Sequence, residues 1–346
     1  MESFHTLEKQ DRVLLALSGG VDSSVACAIL MQMGFEVEAA VIRFSPAHDG
    51  AVEAARTAAR QLGVPLHVLE GGDAFRQAVI EPFCEGYCRG ETPNPCIQCN
   101  PAVKFRLLTE KADELGCGFV ATGHYARVEQ DADGVTRVHT AESGARDQTY
   151  MLYRLGAEVL ERLCLPLGEF EKEDVREMAR EMGLACADAP DSMEICFIPD
   201  GDHAAYIQNA GYAPKAGRFI GPDGQDLGPH KGVQHYTVGQ RKGLGLALGK
   251  PCFVKAILPG GDVQLGWSGE EFYTRLTLRD IAAPGPLPAG EYLVKIRSAA
   301  QAVPAHFDGE ATLTFPEPVR APAPGQSAVL YRDGAVWGGG FIDRIG

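Results

Sequence analysis

The sequence predicts an α/β domain built on a parallel sheet, followed by a small linker domain and an all-β domain. Three observations carry this. The first 125 residues alternate short apolar runs with helix-spaced ones, the pattern of βαβ units whose helices cover a parallel sheet. Residues 211–268 turn glycine-rich, and the remainder alternates like strands between Pro- and Gly-rich turns. The chain has 346 residues, which at roughly 150 residues per domain is length for two or three domains.

Taken in order, the apolar run 13–17 reads as a strand, followed by a helix with Val25, Ile29 and Met33 on one face. Residues 37–44 form a second strand, and Ala51, Ala55, Ala58, Ala59 and Leu62 recur at helical spacing before a third strand at 65–69. A helix-compatible stretch at 73–87 precedes a Pro-, Asn- and Cys-rich loop at 90–101. The prolines stiffen that loop between two helices, which marks it as functional rather than connective. Val103, Leu107, Leu108, Ala112 and Leu115 then give a helix and 119–122 a strand. From 158 to 183 the pattern is helical and charged, with Gly183 placed as a C-cap. The tail offers strands at 292–296, 311–315, 328–331 and 335–342. The expected domains are 1–200, 201–268 and 269–346.

Composition narrows the classes. With 45% apolar and 23% charged residues the chain is neither disordered nor fibrous. No run reaches the roughly 18 to 20 apolar residues of a membrane helix, and the polar start MESFHTLEKQDR lacks a secretory h-region. A cytoplasmic protein without a membrane partner is expected. The net charge of −14 argues against a surface that grips polyanions everywhere. Residues 227–261 nevertheless contain no acid while holding Lys231, Arg241, Lys242, Lys250 and Lys255, so a nucleic acid could dock there. In a reducing compartment the ten cysteines raise reactive or metal-ligating thiols rather than structural disulfides.

The first strand runs into Ser18-Gly19-Gly20-Val21-Asp22-Ser23-Ser24 and then a helix. Two glycines permit a tight turn that presents N–H groups, the serines add hydroxyls, and the helix start adds its positive end. That is a phosphate cradle. It has neither the lysine of GxxxxGK[ST] nor GxGxxG, so a P-loop hydrolase and a dinucleotide-binding site both fit poorly. Asp22 is a candidate Mg²⁺ ligand, and as a solvated loop residue it is expected to tolerate truncation with the fold intact.

Thr92-Pro93-Asn94-Pro95-Cys96-Ile97-Gln98-Cys99-Asn100 lies in an acid-free window with Lys104 and Arg106. Cys99, read as standing just before a helix start and near cations, is expected to be a low-pKa thiolate. Cys84, Cys88, Cys96 and Cys99 also make C-x3-C-x7-C-x2-C, a short-spaced alternative as zinc ligands. A further cysteine, Cys196, sits between apolar neighbours in ICFI, where burial as core is the alternative.

The strings SGGVDSS, TPNPCIQCNPAVKF, ATGHYAR, ARDQTYMLYRL, DSMEICFI, HKGVQHYTVGQRKGLGL and AVWGGGFI, in this order over nearly the whole chain, resemble the tRNA-specific 2-thiouridylases of the PP-loop ATP pyrophosphatase superfamily. The resemblance implies a PP-loop nucleotide-binding domain, a small central tRNA-contacting domain and a C-terminal β-barrel-like domain. It implies ATP-dependent 2-thiolation of the wobble uridine of tRNAs for Glu, Gln and Lys, by adenylation of uridine O2 and transfer of persulfide sulfur. By motif, Ala16, Leu17, Ser18, Gly19, Gly20, Val21, Asp22 and Ser23 would hold ATP, with Ile42 and Gly123 on the adenine and ribose side. Cys99 would be the nucleophile and Cys196 the persulfide carrier. Asn94, Pro95 and Cys96 would touch the target base, and Arg146, Asp147, Gln148, Arg297 and Ser298 would contact tRNA. Cys96 stands where many members carry Asp, which leaves open a [4Fe-4S] cluster on Cys96, Cys99 and Cys196. ATP, Mg²⁺, tRNA and an upstream sulfur-donor protein are the implied cofactors and partners. The competing readings are another PP-loop adenylating ligase or amidotransferase acting on a small molecule, and a non-catalytic RNA-binding or sulfur-carrier protein.

Overall fold

A computed structural model describes residues 11–190 and 195–346. The chain opens with β1 (Arg12–Ala16), α1 (Val21–Gln32), β2 (Glu36–Arg43), α2 (Asp49–Leu62) and β3 (Leu66–Glu70). Next come α3 (Gly72–Phe75) and α4 (Glu81–Cys88), joined by a π-helical turn, then α5 (Pro95–Cys99), a second π-helical stretch (Asn100–Phe105), α6 (Arg106–Leu115) and β4 (Phe119–Ala121). A hairpin of β5 (Arg127–Gln130) and β6 (Thr136–His139) precedes α7 (Ala157–Leu160), β7 (Leu163–Cys164), α8 (Lys172–Glu181) and α9 (His203–Asn209).

The first sheet has the order β3-β2-β1-β4-β7 with every pairing parallel. Side chains alternate across β1, as a strand requires. Val13 and Leu15 pack with α1 and α8, whereas Leu14 joins Leu108 and Ala112 of α6 on the opposite face. Because β1 lies between β2 and β4, the chain leaves it toward one side and returns on the other. That makes the carboxyl ends of β1 and β4 a topological switch point, where open α/β sheets place their ligands.

The helix expected over 158–183 is not continuous. Leu163 and Cys164 form β7, the fifth strand, and Pro166 bars a helix from crossing the segment. Gly183 does follow α8, with φ of +64°. The loop expected at 90–101 is likewise shorter, because α5 begins at Pro95.

The central sheet comprises β8 (Arg218–Ile220), β9 (Asp226–Pro229), β10 (Cys252–Ile257) and β11 (Val263–Trp267) in the order β10-β11-β8-β9. After it come β12 (Phe272–Ala282), β13 (Gly290–Lys295), β14 (Val303–Phe307), β15 (Thr312–Arg320), β16 (Ser327–Arg332) and β17 (Ala335–Ile345). They pair antiparallel in the order β12-β15-β14-β13-β16-β17, and β17 returns to β12, closing a barrel. Register shifts in β12 and β17 are the bulges that let long strands bend around it. Leu278, Val294, Phe307, Leu313, Leu330 and Ile342 are buried together in one cluster.

The β5–β6 hairpin belongs to this second body, with His139 paired to Ala335. Arg137 on β6 is fully buried, bonded to Asp131 and Asp133, with its guanidinium 4.1 Å from the Trp337 ring centre.

Candidate functional site

The turn after β1 is tight. Gly19 has φ of +80°, and a Cβ there would lie 2.4 Å from the Ala54 carbonyl carbon on α2, so only glycine fits. Ser18 N–H donates to Ser23 Oγ at 3.1 Å, the two hydroxyls lie 3.1 Å apart, and Ser23 Oγ donates to the Gly20 carbonyl at 3.1 Å. Gly20 caps α1 without a side chain, which leaves the helix start and its partial positive charge to an anion. Ala16 ends β1, Leu17 is buried and anchored through N–H to the Ala40 carbonyl at 2.8 Å, and Ser18 is exposed. A phosphate group fits this cradle.

Gly123 and Ile42, expected on the adenine and ribose side, lie by the carboxyl ends of β4 and β2. Gly123 follows β4, and a Cβ there would come within 2.8 Å of Ser23 N and 2.9 Å of the Asp22 carbonyl carbon. Its role in the fold is therefore to let the β4 loop lie against the phosphate loop. Ile42, near the end of β2, is buried against Gly71.

Asp22 is not a solvated loop residue. Its carboxylate accepts both contacts from Lys172 Nζ, at 2.7 and 2.8 Å, and the Tyr125 hydroxyl at 2.7 Å. Lys172 begins α8 and is 3% exposed. Truncation of Asp22 would take from that buried ammonium a carboxylate bonded at 2.7 and 2.8 Å, so the expected tolerance does not hold. The lysine absent from the loop motif thus arrives from far along the chain. No sequence spacing announces it; the one hint was a helix opening with a cation at its positive end, a placement that calls for a compensating anion.

The thiol loop is organised by Asn94, whose Oδ1 accepts Cys96 N–H at 3.1 Å and caps α5, with Pro95 in the first turn. Pro101 lacks an N–H and the helix runs on through the π-helical stretch into α6. Cys99 is therefore inside a helical run, not before a helix start. Asn100 Nδ2 donates to the Met151 carbonyl at 2.7 Å and pins the run.

Cys96 and Cys196 are exposed and Cys99 is buried. Burial pushes the Cys99 thiol up to about 12, against the opposing pull of Lys104. Desolvation, with Cys96 nearby, pushes the Cys196 thiol up to about 11, again opposed by Lys104. Cys99 is hence a protonated thiol at rest and the expected low-pKa thiolate is overturned, because desolvation outweighs one nearby cation. Cys99 packs in one cluster with Ile195 and Phe197, on either side of Cys196 in the chain. Among the described residues no group of three or more His, Cys, Asp or Glu side chains is arranged to hold a metal ion. That statement covers both the zinc spacing and the cluster thiols Cys96, Cys99 and Cys196. His124, half-buried, bonds through Nδ1 to Thr122 Oγ1 at 2.6 Å, and desolvation together with Lys104 pushes its pKa down.

A cleft of about 370 Å³ lies between this loop and the barrel, walled by Asn94, Pro95 and Gln98 on one side and Arg279 and Phe341 on the other. A second, open groove of about 680 Å³ in the central domain carries Arg241, Lys242 and Lys250 around the glycine-rich turn. Of the residues expected to contact tRNA, Arg146 and Ser298 are exposed. Asp147 accepts from Lys295 at 3.0 Å, Gln148 from Tyr125 N–H at 2.9 Å, and Arg297 donates to the Val238 and Ala321 carbonyls. Those three are half-buried, with hydrogen bonds inside the protein.

A family model described as the tRNA methyl transferase HUP domain matches residues 11–200, and models for a tRNA methyl transferase PRC-barrel domain and an aminomethyltransferase β-barrel domain match 206–261 and 276–342. The tRNA-specific 2-thiouridylase MnmA of Clostridioides difficile is 41% identical over 96% of this chain and 98% of its own. The chain belongs to the tRNA-specific 2-thiouridylase family. The 2-thiouridylase of Carboxydothermus hydrogenoformans is 42% identical with the same coverage, and that of Trichlorobacter lovleyi 40% over 96% of this chain and 97% of its own. The HUP-domain match ends at 200, before the barrel to which the β5–β6 hairpin pairs. No described helix is long and apolar enough to cross a membrane.

Proposed function

We propose that the protein is an ATP-dependent tRNA-uridine 2-sulfurtransferase acting on the wobble uridine of tRNAs for Glu, Gln and Lys. The observation that carries the chemistry is the packing of Cys99 in one cluster with Ile195 and Phe197, the chain neighbours of Cys196, although the two segments lie far apart in sequence. A small-molecule PP-loop ligase has no use for that pair.

In this reading the turn after β1 holds the ATP phosphates, and uridine O2 attacks the α-phosphorus with loss of pyrophosphate. A poor leaving group becomes AMP. Mg²⁺ would come with the phosphates and meet the exposed edge of Asp22, since hard oxygen ligands suit it. An upstream donor leaves a terminal sulfur on Cys196. That sulfur goes to C2 as AMP departs with O2, and Cys99 attacks the Cys196 sulfur, giving a Cys99 to Cys196 disulfide and freeing the transferred sulfur. A cellular dithiol reopens the disulfide. The resting Cys99 must lose its proton to attack, and Lys104 is the cation that would favour the thiolate.

Mass spectrometry of nucleosides from tRNA incubated with pure protein, ATP, Mg²⁺ and a persulfide donor tests this. The expected product is 2-thiouridine at the wobble position. ATP turnover to AMP without tRNA, and no thiolated nucleoside, would favour the ligase reading.

A further inference from the structure

We propose that Gln326 and Arg279 of the barrel are positioning residues for the thiol helix α5, so that the barrel sets the geometry of sulfur transfer. The reaction step rests on the sulfurtransferase reading; the positioning does not. Thr92, which leads into Pro93 and the cap Asn94, has both backbone groups held by the barrel. Its N–H donates to the Pro324 carbonyl at 2.8 Å, and Gln326 Nε2 donates to its carbonyl at 2.6 Å. Arg279 grips the Glu91 carboxylate in a fork at 3.0 and 3.1 Å. Gly325, with φ of +84°, lies so close that a Cβ would come within 2.9 Å of Glu91 Cβ. On the other side Gly90 lies against the central domain, where a Cβ would meet Ile257 at 2.4 Å.

Little freedom remains between that clamp and the thiols. Pro93 and Pro95 fix two φ angles, and Asn94 bonds Cys96 N–H directly. The strap carrying Gln326 is itself held at both ends. Ala321 has φ of +48°, a conformation unusual for alanine, and is secured by Arg297 at 2.8 Å. Arg297 also bonds the Val238 carbonyl of the central domain at 3.1 Å. At the other end Ser327 exchanges hydrogen bonds with the Tyr150 hydroxyl at 2.8 and 3.2 Å. Segment 321–327 therefore touches all three domains, and its Gln326 holds Thr92, two residues before the cap Asn94. Plain interdomain cement would use the same contacts, but it would change stability rather than the chemistry of Cys99.

The test uses the full chain. Gln326→Glu keeps the side-chain shape but turns an acceptor toward the Thr92 carbonyl. Melting temperature, equilibrium binding of ATP and of tRNA, single-turnover thiolation, and site-resolved alkylation of cysteines between about pH 7 and about pH 10 are compared with the parent. A displacement of about 1 Å at the reacting thiol is expected to slow thiolation about a hundredfold, with both binding constants within about twofold. Cys99 should become more readily alkylated while Cys27 and Cys164, buried in the first domain, remain protected. Arg279→Lys, which keeps the charge, should retain more thiolation than Arg279→Gln, and this pair replaces Gln326→Glu if that variant exposes Cys27. Unchanged Cys99 alkylation, or a rate loss matched by weaker tRNA binding, overturns the proposal. If the parent yields no 2-thiouridine, the functional reading fails, and the contrast between Cys99 and Cys27 labelling still decides the positioning.

Discussion

Replacing Lys172 by Met removes the ammonium that holds both oxygens of Asp22, while the new side chain fills the space of the old stem. Removing one partner of a buried pair costs about 3 to 5 kcal/mol. Here the stranded group is Asp22, whose side chain is 34% exposed and which keeps the Tyr125 hydroxyl. Its place in the first turn of α1 returns about 0.3 to 1 kcal/mol. The expected loss is therefore about 2 kcal/mol, below the range for a fully buried pair. The converse change, Asp22→Asn, takes the carboxylate from an ammonium that is 3% exposed and opens α8, where the helix end repels it. Its expected loss is about 4 kcal/mol. At about 2 to 4 °C per kcal/mol for a domain of this size, calorimetry should show melting drops of about 4 to 8 °C and about twice that. The double variant leaves no unpaired charge and should melt above Asp22→Asn alone. If Lys172→Met costs as much as Asp22→Asn, or the double variant loses the sum of the two, the pair is not what holds this corner together. Both single variants should also weaken ATP binding, read by isothermal titration.

Cys99→Ser and Cys196→Ser should each eliminate 2-thiouridine, while Cys96→Ser should keep part of the activity; equal loss in all three, with iron and acid-labile sulfide in anaerobically purified protein, would replace persulfide transfer by a cluster. Binding of tRNA should weaken steeply with salt despite the charge of −14, and changing Lys231, Arg241 and Lys242 together should flatten the slope measured by filter binding. Burial raises the thiols of Cys27 and Cys164 to about 12 each, so above about pH 9 the unfolded chain loses protons that the folded chain keeps. Stability should be full below that pH and fall as pH rises toward 12, and Cys27→Ala should lessen the fall in a series of denaturant melts.

The strands and helices of the first sheet could be read from the sequence because β1, β2 and their helices carry their own periodicity. The hidden parts are those in which distant segments complete one another. Leu163 and Cys164 look helical beside their neighbours, and only pairing with Val120 and Ala121 makes them a strand. Lys172 carries no motif because its partner Asp22 lies 150 residues away in the neighbouring helix α1. Cys99 was read correctly as near cations, but its burial under Phe197, Val103 and Cys84 depends on tertiary packing, which decides the sign of its shift. The strands at 272–282 and 303–307 went unread for a similar reason: half their residues face solvent, and closure of the barrel rather than local pattern fixes them.

The β5–β6 hairpin has a consequence for anyone cutting this chain apart. A fragment ending near 200, the boundary that family matching suggests, would carry a hairpin edge whose ladder partner is gone. Tyr150 and Tyr153, both about 1% exposed in the full chain, would lose the Ser327 partners that satisfy their hydroxyls. Arg137 would lose the indole over which it lies. Such an edge recruits other copies of itself, so the excised ATP-binding half should aggregate. A barrel grafted from a relative would have to bring its own counterpart of Ser327 and Trp337 to be accepted. The hairpin and its tyrosines thus bind the ATP-binding domain and the barrel into one folding unit.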